Sequence, residues 1–250
     1  MSARADFATL QVEVSENYDA LSLRAEQLIV QELEARPNLI LCASAGGTPT
    51  GLYACLAARA RRQAQLFKRM RVLQVDEWGG LTKGHSASCE VDLRTKLLEP
   101  LKIPPNRYFG FRTETRNAQN ECARMRDWVA TNGPIDICIL GLGLNGHVAM
   151  NEPGPELTPH AHVSTLARSS LSHPMLEDVS PKPRYGMTLG MRDILASRIL
   201  LLMVNGAHKH GAMEHLLKAK VTTQFPASFV WLHPRAFLLC DREAAGNLRK

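Results

Sequence analysis

The sequence lacks paired cysteines, long apolar runs and low-complexity tracts, and each absence excludes a class of protein. Its six cysteines are scattered without a CxxC pair, and Cys42 and Cys138 lie in apolar runs where a free thiol behaves as a small hydrophobic side chain. No apolar run is long enough to span a membrane, and the first residues lack the apolar core of a signal peptide. We therefore expect a reduced, cytoplasmic, soluble protein that does not contact a membrane.

The charge of the chain is moderately basic, with a formal net charge of +6. Such an excess suits an anionic small ligand, and it suits nucleic acid only where the charge is clustered. The one cluster, residues 58–71, contains a single Phe and falls where a helix should end, a position that favours basic side chains. Without interleaved aromatic residues for base stacking, nucleic-acid binding is not expected.

Short apolar runs alternate with helix-period segments along the whole chain. The predicted strands are 9–14, 38–43, 71–76, 135–141, 198–204 and 236–240. The predicted helices lie near 17–35, 49–66, 87–98, 117–131 and 207–218. This alternation predicts an α/β fold, a mainly parallel sheet with helices on both faces, formed by residues 1–250 as a single domain. The segment 152–186, rich in Pro, Ser and His and weakly periodic, predicts an irregular lid.

The first candidate functional segment follows the predicted strand 38–43. It reads Ser-Ala-Gly-Gly-Thr-Pro, with Gly46, Gly47 and Thr48 just before a predicted helix. A glycine loop that leads into a helix presents unpaired N–H groups at the positive end of the helix dipole, which forms a phosphate cradle. The alternative is a tight turn selected only for packing. No Gly-Lys-Ser/Thr follows, so a nucleotide-hydrolysing loop is disfavoured.

The second segment ends the predicted strand 71–76 with two adjacent carboxylates, Asp76 and Glu77. Burial of a carboxylate at a strand end is costly unless the group has a partner or a task. Desolvation would raise the pKa of such an acid and make it a suitable general base. The alternative, that the pair caps the next segment, stays open at this point.

The third segment, "GLGLNG" at 141–146, matches the G-x-G-x-x-G dinucleotide fingerprint, but its surroundings do not. Pro153, Pro155 and Pro159 exclude a long helix after it, and no acidic residue stands near 161–165 to bind a ribose hydroxyl. A dinucleotide is therefore not expected.

The same segment does not predict a metal site. His147 and Glu152 lack the HExxH spacing that places zinc ligands on one helical face, and cysteine ligands at a suitable spacing are missing. A lone loop histidine is usually a hydrogen-bonded structural residue. Here Asn145 and Glu152 flank it at a strand end, which favours an oriented acid–base group.

Together, five segments resemble the glucosamine-6-phosphate deaminase and 6-phosphogluconolactonase superfamily, and they occur in the family's order. The segments are "SAGGTPTGL", "VDEWGGL", "ILGLGLNGHVAMNEPG", "MTLGMRDILASRILLLMVNGAHK" and "PASFVWLHP". Stretches 187–204, 218–221 and 226–233 are most similar to the branch of galactosamine-6-phosphate isomerase (deaminating). The resemblance implies a three-layer αβα, Rossmann-like fold. It also implies the cofactor-free conversion of a 2-amino-2-deoxyhexose 6-phosphate into a ketohexose 6-phosphate and ammonia.

By position, the resemblance also implies roles for individual residues. Asp76 matches the base that moves a proton between C2 and C1, and His147 with its partner Glu152 matches the pair that promotes ring opening. The residues that match phosphate-binding positions are Gly46, Gly47, Thr48, Lys209 and, less closely aligned in the lid, Arg168.

One residue departs from the family's usual pattern. Asn145 replaces the Asp found in most glucosamine-6-phosphate deaminases and is shared with the isomerase branch, so we interpret it as a subtype mark. Two alternatives remain. "SPKPRYGMTL" at 180–189 resembles the lactonases, in which His147 would activate water, and the same fold can serve as a sugar-phosphate sensor. The resemblance leaves a homo-oligomer open.

Overall fold

The structure, a computed structural model that describes residues 10–246, contains two β-sheets. The strands are β1 (Gln11–Ser15), β2 (Ile40–Ala43), β3 (Arg71–Gln74), β4 (Asp76–Trp78), β5 (Tyr108–Phe109), β6 (Ile137–Gly141), β7 (His162–Thr165), β8 (Tyr185–Thr188), β9 (Ile199–Val204) and β10 (Ala236–Asp241). Seven strands form one sheet in the order β1-β10-β9-β6-β2-β3-β5, and every pairing in it is parallel. The other three form an antiparallel sheet in the order β4-β8-β7.

Helices cover both faces of the parallel sheet. They are α1 (Tyr18–Ala35), α2 (Thr50–Arg62), α3 (Cys89–Leu93), α4 (Ala118–Asn132), α5 (Arg168–Leu171), α6 (Met191–Leu195), α7 (His210–Leu217) and α8 (Arg242–Ala245). One apolar core joins the sheet to α1 and α2, and a second joins its other face to α4 and α7. The expected three-layer α/β fold is therefore confirmed.

Continuous burial explains the long apolar strands. Every residue of β2, β9 and β10 is buried, as a central strand covered on both faces requires. Met187 of β8 packs into the same core as β6 and β9, so the small sheet belongs to the same domain. The five predicted helices are present, although 94–98 continues α3 as a π-helix. Residue 9 of the first predicted strand lies outside the described residues.

The prediction of one strand over 71–76 is wrong. β3 ends at Gln74, and the chain changes sheets at Val75, whose N–H donates to Ala43 of β2 while its carbonyl accepts from Leu189. Asp76 then begins β4, where it pairs with Thr188 of β8. The sheet change was not visible in the sequence because β4 has only three residues and follows β3 after the single residue Val75.

The segment 152–186 is more regular than its composition predicted. It contains β7, α5 and a 3-10 turn, Pro174–Leu176, and it ends in β8. Antiparallel pairing of β7 with β8 fixes this segment to the small sheet that carries Asp76. Its role as a lid stays a prediction. Within residues 10–246, no helix is both long and apolar enough to cross a membrane.

Candidate active site

The predicted site residues follow four neighbouring strands of the parallel sheet. Gly46 follows β2, Asp76 follows β3, His147 follows β6 and Lys209 follows β9, and these strands lie side by side in the order β9-β6-β2-β3. Because parallel strands end at the same edge, their following loops meet there. The sheet order thus brings together residues that are up to 163 positions apart in the sequence.

The glycine loop between β2 and α2 has the geometry of an anion cradle. Gly46 adopts a φ of +106°, which side-chain-bearing residues rarely adopt, and a Cβ on Gly47 would meet no atom within 4 Å. The N–H of Gly46 already donates to Asp92 Oδ2 at 3.0 Å. Within the described chain, the N–H groups of Gly47 and Thr48 have no hydrogen-bond acceptor. These two N–H groups are available to an anion.

A tyrosine from α1 supports this loop from behind. The Tyr18 hydroxyl lies 2.9 Å from Gly47 O and 3.0 Å from Thr48 O, and it accepts the N–H of Gly51 at 2.7 Å. The single hydroxyl hydrogen is shared between the two carbonyls, so Tyr18 ties the glycine loop to α1. Tyr18 and Asp92 were missed in the sequence, since no local motif links them to the loop.

Lys209 lies at the end of a 3-10 turn, Ala207–Lys209, just before α7. Partial burial lowers the pKa of its ammonium group. Within residues 10–246, no carboxylate lies within 4.0 Å of the ammonium nitrogen. A half-buried cation without a carboxylate partner at this edge suits an anionic ligand.

Asp76 and Glu77 have different surroundings, although they are adjacent in β4. Asp76 is 8% exposed, and burial, with a smaller contribution from the charge of Glu77, raises its pKa to about 7. Within the described chain, its carboxylate accepts no hydrogen bond. A buried carboxyl group with a pKa near neutrality can exchange a proton at physiological pH.

Glu77, in contrast, is tied into the fold. It accepts the N–H groups of Trp78, Cys89 and Glu90, each at 2.8 Å, and the Gln74 side chain at 3.0 Å. Two of these N–H groups belong to the first turn of α3, so Glu77 caps that helix. Burial raises the pKa of Glu77 while these hydrogen bonds lower it, and the net shift is upward. The sequence left open whether the pair supplies a general base or caps the next segment. Asp76 has surroundings that suit a general base, whereas Glu77 is the cap.

His147 is held by a chain of hydrogen bonds that starts at Glu152. Asn145 Nδ2 donates to Glu152 Oε2 at 2.9 Å, which directs Asn145 Oδ1 toward His147. His147 Nδ1 lies 2.7 Å from that oxygen and 3.5 Å from Glu152 Oε2. Because an amide oxygen only accepts, Nδ1 carries the proton, and Nε2 keeps a lone pair that can accept another.

The carboxylate of Glu152 is also bound by residues of the 152–186 segment. Its Oε1 accepts the N–H of Ala167 at 3.2 Å and the hydroxyl of buried Ser170. Burial alone would raise the pKa of Glu152, but hydrogen bonds from His147, Ser170 and Asn145, with the charge of His147, lower it to about 2. Glu152 is thus a permanent negative charge beside the imidazole. Ser170 was not predicted.

The glycines of the "GLGLNG" loop make room for side chains instead of for a dinucleotide. A Cβ on Gly143 would lie 2.5 Å from the His147 ring, and one on Gly146, at φ +87°, would lie 2.2 Å from Phe225. The loop closes with Gly143 N–H donating to His147 O at 2.9 Å. No helix follows it before β7, as the prolines predicted.

The small sheet connects this loop to Asp76. Thr188 of β8 pairs with Asp76, and its hydroxyl accepts the N–H of Met150 at 3.3 Å. The side chain of Asn151 donates to the carbonyl of Leu189 at 2.9 Å. The acid–base loop and the buried carboxyl group are therefore built on one framework.

The Arg168 side chain makes no hydrogen bond to another predicted site residue within residues 10–246. Arg168 is the first residue of α5, its side chain is exposed, and within this range it makes no ion pair. Its predicted contact with phosphate stays a prediction. In the same described range, no three His, Cys, Asp or Glu side chains are grouped as metal ligands would be.

The sequence and the fold were compared with those of known proteins. Residues 13–238 match the family described as glucosamine-6-phosphate isomerases/6-phosphogluconolactonase. The chain belongs to this family. AgaI of Escherichia coli (strain K12), a provisionally named deaminase, is 38% identical, with 90% of both chains covered. The glucosamine-6-phosphate deaminase of Shouchella clausii (strain KSM-K16) is 31% identical over 92% of this chain and 94% of its own.

Solved structures of family members have the same fold. A monomeric glucosamine-6-phosphate deaminase superposes with a TM-score of 0.89 at 30% identity, over 96% of this chain and 100% of that chain. A 6-phosphogluconolactonase from Trypanosoma brucei gives a TM-score of 0.79 at 22% identity, over 97% and 100%. The lactonase likeness concerns the fold alone, whereas family membership is also supported by sequence.

Proposed function

We propose that the protein is a deaminating aldose–ketose isomerase. It converts a 2-amino-2-deoxyhexose 6-phosphate and water into a ketohexose 6-phosphate and ammonia. The observation that carries the proposal is the hydrogen-bond chain from Glu152 through Asn145 to His147, at the sheet edge that also carries buried Asp76. A pair of separate proton-transfer groups beside an anion cradle is what ring opening followed by isomerisation of a phosphosugar requires.

In the first step, the phosphate binds at the N–H groups of Gly47 and Thr48 and to the ammonium group of Lys209. Nε2 of His147 takes the proton of the sugar's C1 hydroxyl and returns a proton to the ring oxygen, which opens the ring to the aldehyde. Asn145 orients the imidazole but cannot neutralise its positive charge. Glu152, 3.5 Å from Nδ1, therefore stabilises the imidazolium.

In the second step, the carboxylate of Asp76 takes the proton from C2 of the open-chain sugar. The C1 carbonyl oxygen gains a proton from the protonated amino group on C2, which gives a neutral enolamine with a C1–C2 double bond. Asp76 then returns its proton to C1, leaving an iminium at C2. Water adds to that carbon and ammonia leaves, so one water is consumed for each ammonia released. A pKa of about 7 allows Asp76 to act both as base and as acid.

Two relatives support this reaction class. The matched Shouchella clausii protein and the matched monomeric structure are both named as glucosamine-6-phosphate deaminases, at 31% and 30% identity. For this chain we favour galactosamine 6-phosphate as the substrate. Support comes from Asn145 and from the resemblance of stretches 187–204, 218–221 and 226–233 to the galactosamine branch.

The experiment is to incubate the purified protein separately with galactosamine 6-phosphate, glucosamine 6-phosphate and 6-phosphogluconolactone. Ammonia and acid production are then measured. We expect ammonia from both aminosugars, with kcat/KM at least about tenfold higher for the galactosamine epimer. Equal or reversed values would contradict the epimer preference. Acid from the lactone without ammonia from either aminosugar would contradict the reaction class.

A further inference from the structure

A histidine in the 152–186 segment, His173, faces the glycine loop and has no part in the reaction steps above. It precedes the 3-10 turn Pro174–Leu176. A Cβ built on Gly46 would lie 3.5 Å from His173 Nε2 and 3.6 Å from its Cε1. The imidazole edge therefore lies directly beside Gly46, one and two residues from the N–H groups of Gly47 and Thr48 that have no acceptor.

The other side of the ring fixes the position of the proton. His173 Nδ1 accepts the N–H of Met175 at 3.2 Å, so the neutral ring carries its hydrogen on Nε2. Within the described residues, nothing accepts a hydrogen bond from Nε2. The ring also packs against Trp78, with 5.8 Å between ring centroids. His173 is thus a fixed N–H donor that points toward the glycine loop.

The charges around this donor are mostly positive. The titratable groups that act on the imidazole are Lys209, Lys96 and the imidazole of His147, with Asp92 as a negative group. Burial and these cations lower the pKa of His173. Asp92 is itself committed to Gly46 N–H at 3.0 Å and to Lys96 at 2.5 Å. An anion that enters between His173 and the loop would therefore meet the Nε2–H donor and the positive charge of Lys209, which has no carboxylate partner within the described residues.

We propose that His173 binds the substrate phosphate, donating its Nε2–H to a phosphate oxygen held at the Gly46–Thr48 loop. The inference rests on the proposed function for the identity of the substrate, but the anion site itself does not depend on turnover. The hydrogen bond from His173 would give the 152–186 segment a contact with the phosphate. The same segment already holds Glu152 through Ser170. The segment then contacts the phosphate directly and the imidazole of His147 through Glu152.

The test uses variants that remove or replace the Nε2–H donor of His173 and leave the fold intact. His173→Asn keeps an acceptor for the Met175 N–H, since Asn caps helices well, and removes Nε2. His173→Gln keeps an N–H donor near the Nε2 position. His85→Asn is the matched control because His85 Nδ1 likewise accepts the N–H two residues on, from Ala87 at 3.1 Å. Thermal unfolding verifies that each variant is folded.

Binding of inorganic phosphate is measured by calorimetry, and KM for the aminosugar phosphates is measured alongside. We expect His173→Asn to weaken phosphate binding and raise KM about tenfold with kcat little changed. His173→Gln should recover part of the loss, and His85→Asn should behave as the parent. Unchanged phosphate binding in folded His173→Asn, or an equal loss in His85→Asn, would overturn the inference. If the parent releases no ammonia, the proposed function fails while the phosphate titration still decides on His173.

Discussion

Two neighbouring carboxylates, Asp76 and Glu77, show how environment separates side chains of the same chemistry. Glu77 is 0% exposed but accepts four hydrogen bonds, whereas Asp76 is 8% exposed and accepts none within the described chain. A group buried without partners is costly to the fold and is kept where its reactivity is used. This contrast leads to a prediction about both stability and activity.

Asp76→Asn should make the protein more stable and almost inactive. The pKa of Asp76 is about 7 in the fold and about 4 in the unfolded chain. The folded state therefore binds more protons between these values, and stability falls as pH rises through this window. Asn removes this loss of stability, so at pH 8 the free energy of unfolding of the variant should exceed that of the parent by at most about 4 kcal/mol. Denaturant unfolding of both proteins at pH 5 and pH 8 measures the difference.

The control is Asp127→Asn, because the side chain of Asp127 is 77% exposed. Its removal should change neither stability nor rate. The parent's kcat/KM should also fall as pH drops below about 7, because Asp76 must be ionised to act as a base. A parent profile that stays flat from pH 5.5 to 8, or a destabilised Asp76→Asn variant, would show that the environment of Asp76 is misassigned.

Asn145→Asp should reduce activity, although most glucosamine-6-phosphate deaminases carry Asp at this position. Asn145 Nδ2 donates to Glu152 Oε2 at 2.9 Å, so the substitution would place two carboxylates in direct contact. Like charges at that distance raise one of the two pKa values and weaken the hold on His147. We expect kcat to fall by about tenfold or more, measured by ammonia release. A variant as fast as the parent would refute this role of the amide.

At the element scale, the segment 152–186 matters because it supplies ligands to Glu152. Ser170→Ala removes a hydroxyl that donates to this carboxylate, so the pKa of Glu152 should rise. The kcat should then fall by about tenfold while KM changes little, because the lost bond orients a catalytic pair instead of binding phosphate. Ser169→Ala, exposed on the same short helix, is the matched control. Equal kcat values for the two variants would contradict a positioning role for Ser170.

The first turn of helix α3 is capped by the Glu77 carboxylate and by the hydroxyl of Ser88. Glu77→Gln would turn an amide N–H₂ toward backbone N–H groups that now donate to a carboxylate. Buried donors would lose their acceptor, and the free energy of unfolding should fall by about 3 kcal/mol. Denaturant unfolding measures this. A loss of activity without a loss of stability would instead place Glu77 in the chemistry.

Helices and strands with a long apolar pattern were predictable from the sequence, and the short strands of the antiparallel sheet were not. α1, α4 and the fully buried strands β2, β9 and β10 follow from their apolar pattern. The antiparallel sheet of β4, β7 and β8 was not predicted, since its strands have three or four residues each and one continues directly from β3. Ser170, Asp92 and His173 were missed as contributors because their significance lies in contacts made by distant segments.

At the scale of the whole molecule, one sheet edge joins an anion cradle, a buried carboxyl group and an oriented histidine. Asp76, His147 and Gly46 were identifiable from sequence because each follows an apolar strand, and the strand order then brings them together. The strand order itself could not be read from the sequence, since it is set by side-chain packing across both sheet faces. We propose that, at this edge, Asp76 moves the proton that leads to deamination.

The most direct test measures ammonia and ketohexose 6-phosphate together, at pH 8, for the parent protein and for Asp76→Asn. The parent should release the two products in equal amounts from an aminosugar 6-phosphate. The folded variant should be slower by about a thousandfold, the range lost when a general base is removed. No ammonia from the parent with either epimer, or parent-like release from Asp76→Asn, would contradict the claim.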